Sequence, residues 1–229
     1  MKTTLVSVTK SLISEENLTP EQLIVYIARV SNPSNQLNHE TADKLINFMI
    51  THKHWSPFEM VDMTVEIVTS RAIAQQILRH RSFSFQEFSQ RYAAVLDMEP
   101  VQIRKQAQKN RQSSEEVFNP HLEYGFEKDL HDRRIYTDAD KAIKNHIKES
   151  EDLYNALIKA GAAKECARMV LPLTTQTKIY MKGSIRSWIH YLMIRCDEHV
   201  QLEHREIALN IKDIFKSNFP NITKALSWE

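Results

Sequence analysis

The pattern of apolar and polar positions predicts short strands interspersed with amphipathic helices. Residues 61–67 alternate strictly between apolar and polar side chains, which is typical of a strand with one buried face. Further strands are predicted over residues 5–9, about 89–96 and 174–181. Residues 79–91 have no helical apolar stripe, so we expect an ordered loop there.

Helices are predicted where apolar residues recur every three or four positions. The first begins at a capping box with proline at its first position, Thr19-Pro20-Glu21-Gln22. Further helices are predicted over residues 70–78, 141–159, 184–195 and 198–215. Because helices and strands do not alternate as regular β-α-β units, the predicted fold class is α+β, with a mixed sheet flanked by long helices.

Residues 97–140 are polar and charged with little periodicity. Long segments of this kind are uncommon unless they are functional or disordered. We therefore expect one domain over residues 1–229 that carries a polar surface insertion at about 97–140, part of it helical, as a candidate lid.

Composition narrows the class of protein. The chain has 229 residues, 42% of them hydrophobic and 26% charged, as in ordinary globular proteins. No apolar run approaches the ~18 residues that a membrane span needs, and the net charge of +1 argues against a general nucleic-acid binder. Cys166 and Cys196 have no metal-binding or redox spacing, so we expect two buried, reduced thiols in a cytoplasmic protein.

Glycine is scarce. The chain has three glycines, Gly125, Gly161 and Gly183, and they are far apart. A Rossmann fingerprint or a P-loop needs clustered glycines so that the backbone can approach phosphate closely. Any bound nucleotide must therefore be held by side chains, mainly arginines, and by helix N-termini.

The segment 79–92 concentrates arginines, serines and aromatic residues between a predicted helix and a predicted strand. One interpretation is a basic helix end followed by an ordinary strand. If the backbone is extended, however, Ser89 and Arg91 project from the same face, as Arg79 and Arg81 do. A hydroxyl beside a guanidinium suits a phosphate, so the two pairs suggest a doubly anionic ligand.

Arg79-His80-Arg81, followed by seven residues and then Ser89-x-Arg91, resembles the signature of flavin-dependent thymidylate synthases. The resemblance extends along most of the chain but not through the polar insertion. Further matching segments are residues 28–31, 54–59, 167–172, 184–195 and 199–203.

The resemblance implies reductive methylation of dUMP to dTMP. It implies FAD as cofactor, NADPH as reductant and 5,10-methylenetetrahydrofolate as carbon donor. It also implies a homotetramer with active sites between subunits, and no metal, nucleic-acid or membrane partner.

The same resemblance implies the site residues. The positions that match dUMP contacts are Gln76, Ile77, Leu78, Arg79, Glu87, Phe88, Ser89, Gln90, Arg91, Arg168 and Arg195. The positions that match FAD contacts are Ser31, His54, Ser56, Glu59, Arg79, His80, Arg81, Glu87, Ser184, Ile185, Arg186 and His190.

Arg195 is the predicted catalytic residue. Methylation at C5 of uracil needs an electron-rich ring, and a cation fixed beside N3 favours the ionised ring. Taken alone, Arg195 is also consistent with a cation at a helix C-terminus. Ser184 and His190 depart from the asparagine that relatives often carry, which affects the expected flavin contacts.

Two other classes of function are consistent with parts of the sequence. Glu203 and Glu206 on one helix, together with His131-Asp132, suggest a metal-dependent nucleotide hydrolase. Arginines interleaved with aromatic residues in segment 79–92 suggest a single-strand nucleic-acid-binding module.

Overall fold

The computed structural model describes residues 1–13, 17–94, 97–111, 113–125 and 135–228. The chain forms two compact units. The first unit comprises Met1–Val68, Gln75–Glu87 and Lys178–Glu229. The second comprises Thr69–Ala74 and Phe88–Thr177. The single domain over residues 1–229 stays a prediction.

Helices and strands both contribute, which confirms the α+β class. The strands are β1 (Lys2–Val8), β2 (Asp62–Ser70), β3 (Ser84–Glu87), β4 (Arg104–Gln106), β5 (Ser114–Val117), β6 (His121–Tyr124), β7 (Ile135–Asp138) and β8 (Gln176–Ser184). The helices are α1 (Pro20–Ala28), α2 (Ala42–Thr51), α3 (Arg71–Ile77), α4 (Ala139–Lys159), α5 (Lys164–Ala167), α6 (Ile185–Arg195), α7 (Leu202–Asn218) and α8 (Pro220–Ala225).

A four-stranded sheet with the order β1-β2-β8-β3 runs through the first unit. Strand β1 pairs antiparallel with β2, and β3 pairs antiparallel with β8 from Ser84↔Lys182 to Glu87↔Ile179. The mixed character of the sheet stays a prediction, because both of these pairs are antiparallel.

The core of the first unit confirms the alternating pattern of residues 61–67. Val61, Met63, Val65 and Ile67 are completely buried, whereas the residues between them are partly exposed. Helix α7 contacts both β1 and α6. Its buried stripe, which includes Ile207, follows the helical period and closes the core over these elements.

Gly183 permits a close approach between β8 and the aromatic core. A Cβ atom at this position would overlap Cδ1 and Cε1 of Phe83. Phe83 in turn packs edge-on against Trp188, with ring centroids 4.8 Å apart. The glycine is therefore required by packing on its face of the strand.

Helix α4 organises the second unit. Its N-cap Asp138 accepts a hydrogen bond from the Lys141 amide, and the chain leaves the helix at Gly161, whose φ of +90° is one that glycine adopts readily. The prediction of partly helical structure in the insertion is wrong for its described residues before α4. They contain the strand pairs β4–β5 and β6–β7.

The prediction of a strand over about 89–96 is wrong for residues 89–94. Residues 95–96 lie outside the described residues. The strand at this point is β3, inside the predicted loop 79–91. Ser89 instead begins a turn, because its carbonyl accepts hydrogen bonds from the amides of both Tyr92 and Ala93.

The last predicted helix starts later than expected. Asp197 Oδ1 accepts a hydrogen bond from the His199 amide at 2.9 Å, a local turn that competes with helix formation. Helix α7 consequently begins at Leu202. No helix in the part of the chain that the structure describes is both long and apolar enough to cross a lipid bilayer.

Candidate functional site

The predicted site residues fall in both units. All of the predicted FAD contacts, and Gln76, Ile77, Leu78, Arg79, Glu87 and Arg195 of the predicted dUMP contacts, lie in the first unit. Phe88, Ser89, Gln90, Arg91 and Arg168 lie in the second. The predicted site residues therefore form two groups of side chains, one in each unit.

In the first unit, Arg195 is anchored by one edge of its guanidinium. It is the last residue of α6, and its Nε donates a hydrogen bond to Nε2 of His80 at 2.9 Å. Its terminal nitrogens donate no hydrogen bond to any described residue. The cation is thus held in place while its outer edge stays free for a ligand.

His80 accepts this hydrogen bond, so its Nε2 carries no proton. Burial, together with the positive charge of Arg195 and the electrostatic effect of the neighbouring His190, lowers the pKa of His80 to about 4. The ring also packs edge-on against Tyr191, with centroids 4.8 Å apart and planes at 80°. His80 therefore remains an acceptor at neutral pH and holds Arg195 without neutralising it.

Arg79 and Arg81 flank His80 and are exposed. Neither guanidinium forms a hydrogen bond or an ion pair with a described residue. They follow α3, where the His80 amide bonds to the Ile77 carbonyl and the Phe83 amide to the His80 carbonyl. These turns present two unpaired cations on either side of a neutral ring, which suits a polyanionic ligand.

A cavity of about 560 Å³ lies beside the start of α6. Three of the predicted FAD contacts, Glu59, Arg186 and His190, line it. The remaining lining residues are Lys53, Trp55, Ser82, Ser187, Ile189 and Met193. The cavity combines cationic, hydroxyl, aromatic and apolar groups.

Glu59 links two of the predicted FAD contacts. Its Oε2 accepts from the Ser184 hydroxyl at 2.5 Å, and its Oε1 accepts from Nη1 of Arg186 at 2.8 Å. Ser184 also caps α6 by accepting a hydrogen bond from the Ser187 amide. One carboxylate therefore fixes both the helix start and the arginine beside the cavity.

The sequence interpretation missed several lining residues of this cavity. Arg186, Ile189, His190 and Met193 are at positions i, i+3, i+4 and i+7 of α6, so they share one helix face. Having predicted Arg186 and His190, we could have added Ile189 and Met193 from this period. Lys53 and Trp55 had no such signal.

Lys53 has a left-handed backbone, with φ of +58°. The His54 amide bonds to the Met49 carbonyl and the Lys53 amide to Ile50, a Schellman end to α2. This turn directs the chain into the predicted FAD contacts His54 and Ser56, both exposed. The ring of His54 lies edge-on to Phe48, with centroids 5.7 Å apart.

Ser31 lines a different cavity, of about 480 Å³, beside the buried side chain of Arg29. The guanidinium of Arg29 bonds to the Asn35 and Asn38 carbonyls and to Oγ1 of Thr41 at 2.7 Å. The structure thus does not bring Ser31 to the cavity that contains Glu59.

Four predicted contacts have limited side-chain access. Ile77 and Ile185 are completely buried, so a ligand could reach only their main chain. Leu78 is half-buried, and so is Glu87 on β3. The predicted roles of these residues stay predictions.

In the second unit, the turn at residues 89–92 is tied to α5. Nε and Nη2 of Arg91 both lie 3.2 Å from Glu165 Oε2, and Lys164 Nζ donates to the Tyr92 carbonyl at 2.9 Å. Arg168 Nε donates to the Glu165 carbonyl at 3.3 Å. Contacts with Glu165 therefore bring Arg91 and Arg168 together. The extended backbone that we expected at Ser89 and Arg91 does not.

Gln90 lies in the same turn and is 97% buried, with a relative exposure of 3%. Its Nε2 has no hydrogen-bond partner among the described residues. A buried amide without a partner is costly unless a ligand satisfies it. This unused donor, next to Ser89 and Arg91, is consistent with a binding site.

The expectation of two buried thiols is wrong. Cys166 is exposed and Cys196 is partly exposed, and both are free. Partial burial raises the pKa of the Cys196 thiol, which disfavours a thiolate nucleophile. Among the described residues, no three His, Cys, Asp or Glu side chains form a group that could hold a metal ion. His131-Asp132 lies outside the described residues.

Comparison with known proteins gives consistent matches over nearly the whole chain. The family described as "Thymidylate synthase complementing protein" matches residues 11–221. A flavin-dependent thymidylate synthase of Synechocystis sp. is 49% identical over 225 residues, covering 97% of this chain and 98% of that protein. A probable flavin-dependent thymidylate synthase of Paramecium bursaria Chlorella virus 1 is 48% identical over 229 residues and covers 100% of both chains.

A solved structure supports the fold. The UMP/dUMP methylase PolB from Streptomyces cacaoi, bound with 5-Br dUMP, superposes with a TM-score of 0.73 at 23% identity. The match covers 99% of this chain and 94% of that one. At this identity, the comparison shows a shared fold.

Proposed function

The chain belongs to the flavin-dependent thymidylate synthase family, and we propose that it methylates dUMP to dTMP with FAD as cofactor. We further propose NADPH as the reductant and 5,10-methylenetetrahydrofolate as the carbon donor. The hydrogen bond from Arg195 to His80 is the structural observation that best supports this function.

Arg195 is suited to activate the uracil ring. Its Nε is held by His80, and its terminal nitrogens are free to donate toward N3 and the neighbouring carbonyl oxygen. Developing negative charge on the ring would be stabilised by a cation that is already in place, so no reorganisation is needed during the reaction. A ring made electron-rich in this way is a better carbon nucleophile at C5. We therefore propose Arg195 as the catalytic residue.

The cavity lined by Glu59, Arg186 and His190 fits a flavin nucleotide by its donor set. Arg186 and Lys53 offer cations, Trp55 an aromatic surface, and His190 a ring donor or acceptor in place of an amide. Arg79 and Arg81 add unpaired cations suited to a pyrophosphate. FAD bound there would carry hydride from NADPH to the one-carbon unit supplied by the folate. The polar residues around it would bind and orient the flavin.

In the second unit, Arg91, Ser89 and Arg168 are proposed to bind the dUMP phosphate. The ion pair of Arg91 with Glu165 is exposed, with side-chain exposures of 60% and 53%, so it is weak and exchangeable. A dianionic phosphate would compete well for a guanidinium in this position. The unpaired Gln90 amide adds a buried donor beside it.

We also propose that the protein assembles as a homotetramer with active sites between subunits. Exposed apolar side chains on α6, Met193 at 62% and Ile194 at 41%, are consistent with self-association. Two free thiols support a reducing compartment, the cytoplasm. Mass determination in solution tests the assembly.

The function is tested by an omission assay for dTMP. The purified protein is incubated with dUMP, FAD, NADPH and methylenetetrahydrofolate, and then with each component left out in turn. We expect dTMP in the complete mixture only, apart from residual activity where FAD co-purifies. Activity that persists without NADPH and after removal of flavin would contradict the proposal.

A further inference from the structure

A continuous series of hydrogen bonds runs from α6 through α7 to the surface. The Tyr191 hydroxyl lies 3.0 Å from His204 Nε2, and His204 Nδ1 lies 3.3 Å from Gln76 Oε1. Gln76 Nε2 donates to Gln201 Oε1 at 2.6 Å, and Gln201 Nε2 donates to Glu203 Oε2 at 3.0 Å. Tyr191 and His204 are completely buried.

The direction of each hydrogen bond in this series is determined. Burial, with the charge of Arg195 and the presence of His80, lowers the pKa of His204 to about 3, so its ring is neutral and carries one N–H. At the surface end, the carboxylate oxygen of Glu203 can only accept, so Gln201 turns its Nε2 to Glu203 and its Oε1 to Gln76 Nε2. Gln76 Oε1 consequently faces His204, and the N–H of the ring is at Nδ1. Nε2 then accepts from the Tyr191 hydroxyl, whose pKa burial raises, so the hydroxyl stays protonated.

This direction has a consequence for Gln76. A glutamine carboxamide can turn over and exchange its oxygen and nitrogen. A donor at His204 Nδ1 allows only the orientation with Oε1 toward the histidine. In that orientation, one Gln76 N–H is used by Gln201 and the second remains for another partner.

We propose that Tyr191 and His204 are positioning residues for the nucleotide substrate, which fix the carboxamide of Gln76 so that its remaining N–H faces dUMP. The inference rests on the proposed function, which places Gln76 among the dUMP contacts. The Tyr191 hydroxyl donates to His204 Nε2 and so supports the tautomer with its N–H at Nδ1, and that N–H holds Oε1 of the Gln76 amide. Neither residue touches the nucleotide.

Stability alone does not account for this buried pair. A tyrosine and a histidine held between α6 and α7 could be exchanged together for apolar residues of similar shape with little loss of stability. The same pair lies under His80, whose ring is 4.8 Å from Tyr191 and 6.3 Å from His204. Tyr191 and His204 therefore lie next to His80, which anchors Arg195, and His204 also bonds to Gln76.

The proposal is tested by a double-mutant cycle between Tyr191→Phe and Gln76→Ala on the full-length enzyme with FAD. Loss of one positioning hydrogen bond should raise the KM for dUMP about three- to tenfold, with kcat changed by less than about twofold. In the Gln76→Ala background, Tyr191→Phe should have no further effect on KM. Tyr180→Phe is the matched control, since the Tyr180 hydroxyl bonds to Glu66 on the sheet.

If Tyr191→Phe does not fold, the paired variant Tyr191→Phe/His204→Leu replaces it in the same cycle. The positioning role is overturned if Tyr191→Phe leaves the KM for dUMP unchanged while Gln76 is present, or if it raises the KM equally with Gln76 and in the Gln76→Ala background. If Gln76→Ala itself leaves the KM for dUMP unchanged, the placement of Gln76 in the proposed dUMP site fails instead. The two failures are thus distinguishable.

Discussion

Arg195 Nε donates a hydrogen bond to His80 Nε2 at 2.9 Å, and the histidine is held neutral by its surroundings. This contact fixes a cation without cancelling its charge. It also separates the anchoring edge of the guanidinium from the edge that a ligand can use.

Arg195→Ala should lower kcat for dTMP formation by about two to three orders of magnitude, because it removes a preorganised charge from the reacting ring. FAD binding should be retained, since Arg195 does not line the cavity beside Glu59. Steady-state kinetics and the flavin-to-protein ratio measure the two effects.

Arg111→Ala is the control, because Arg111 is an exposed arginine in the second unit. It should leave kcat unchanged. Loss of FAD or of the folded state in Arg195→Ala would mean that Arg195 is structural.

Glu165→Gln should lower the KM for dUMP about two- to fivefold, because it frees Arg91 from an exposed ion pair. Arg91→Ala should raise the KM. Glu116→Gln, which breaks the exposed ion pair with Lys105 in the same unit, should leave it unchanged. If neither Glu165→Gln nor Arg91→Ala changes the KM, Arg91 does not bind the phosphate.

Stability should fall as the pH is lowered from 6.5. His80 and His204 have folded-state pKa values of about 4 and about 3, below the ordinary value of about 6.5. Between these values the unfolded chain binds protons that the folded chain does not, so acid favours unfolding. For the fully buried His204 the loss should be about 2 kcal/mol by pH 5.

Urea unfolding at fixed protein concentration, at pH 7.5 and pH 5, measures this loss. His204→Asn should reduce the difference between the two pH values, whereas His52→Asn, at an exposed position, should not. An identical pH dependence in wild type and His204→Asn would be inconsistent with a buried neutral histidine.

Gly183→Ala should destabilise the protein by about 1–3 kcal/mol, because the new methyl group overlaps the ring of Phe83. Phe83→Leu in the same background should recover part of that loss. Thermal unfolding of the single and double variants checks both. An alanine variant as stable as wild type would show that β8 and Phe83 can shift apart at little cost.

Elements specified by local rules were predictable. The capping box at Thr19 and the Ser184 cap of α6 are formed by side chains within one turn of the helices they begin. The alternation in residues 61–67 is visible because one face of β2 is buried. In these cases the sequence pattern that predicts the element lies within the residues that form it.

Elements that depend on distant contacts were not predictable. Strand β5 is exposed on both faces, so it has no alternating pattern to find. The turn at residues 89–92 is held by Glu165 and Lys164, more than 70 residues away in the sequence.

The site shows the same division. A spaced motif predicts the arginines in segment 79–91, and the wider resemblance predicts Arg195, whereas the cavity residue Lys53 came only from the structure. His204 is 13 residues from Tyr191 but on another helix, and only tertiary packing makes them partners. The spacing of residues in the sequence therefore indicates which side chains belong to a site, whereas their hydrogen-bond partners depend on how the helices pack.

Flavin-dependent synthesis of dTMP is tested by an anaerobic absorbance spectrum of the protein reconstituted with FAD, between 300 and 550 nm, before and after addition of NADPH and dUMP. We predict two flavin bands that bleach with NADPH, followed by dTMP formation when the folate is added. A protein that binds no flavin, or whose flavin bands do not bleach with NADPH, would contradict the proposed NADPH-dependent flavin chemistry.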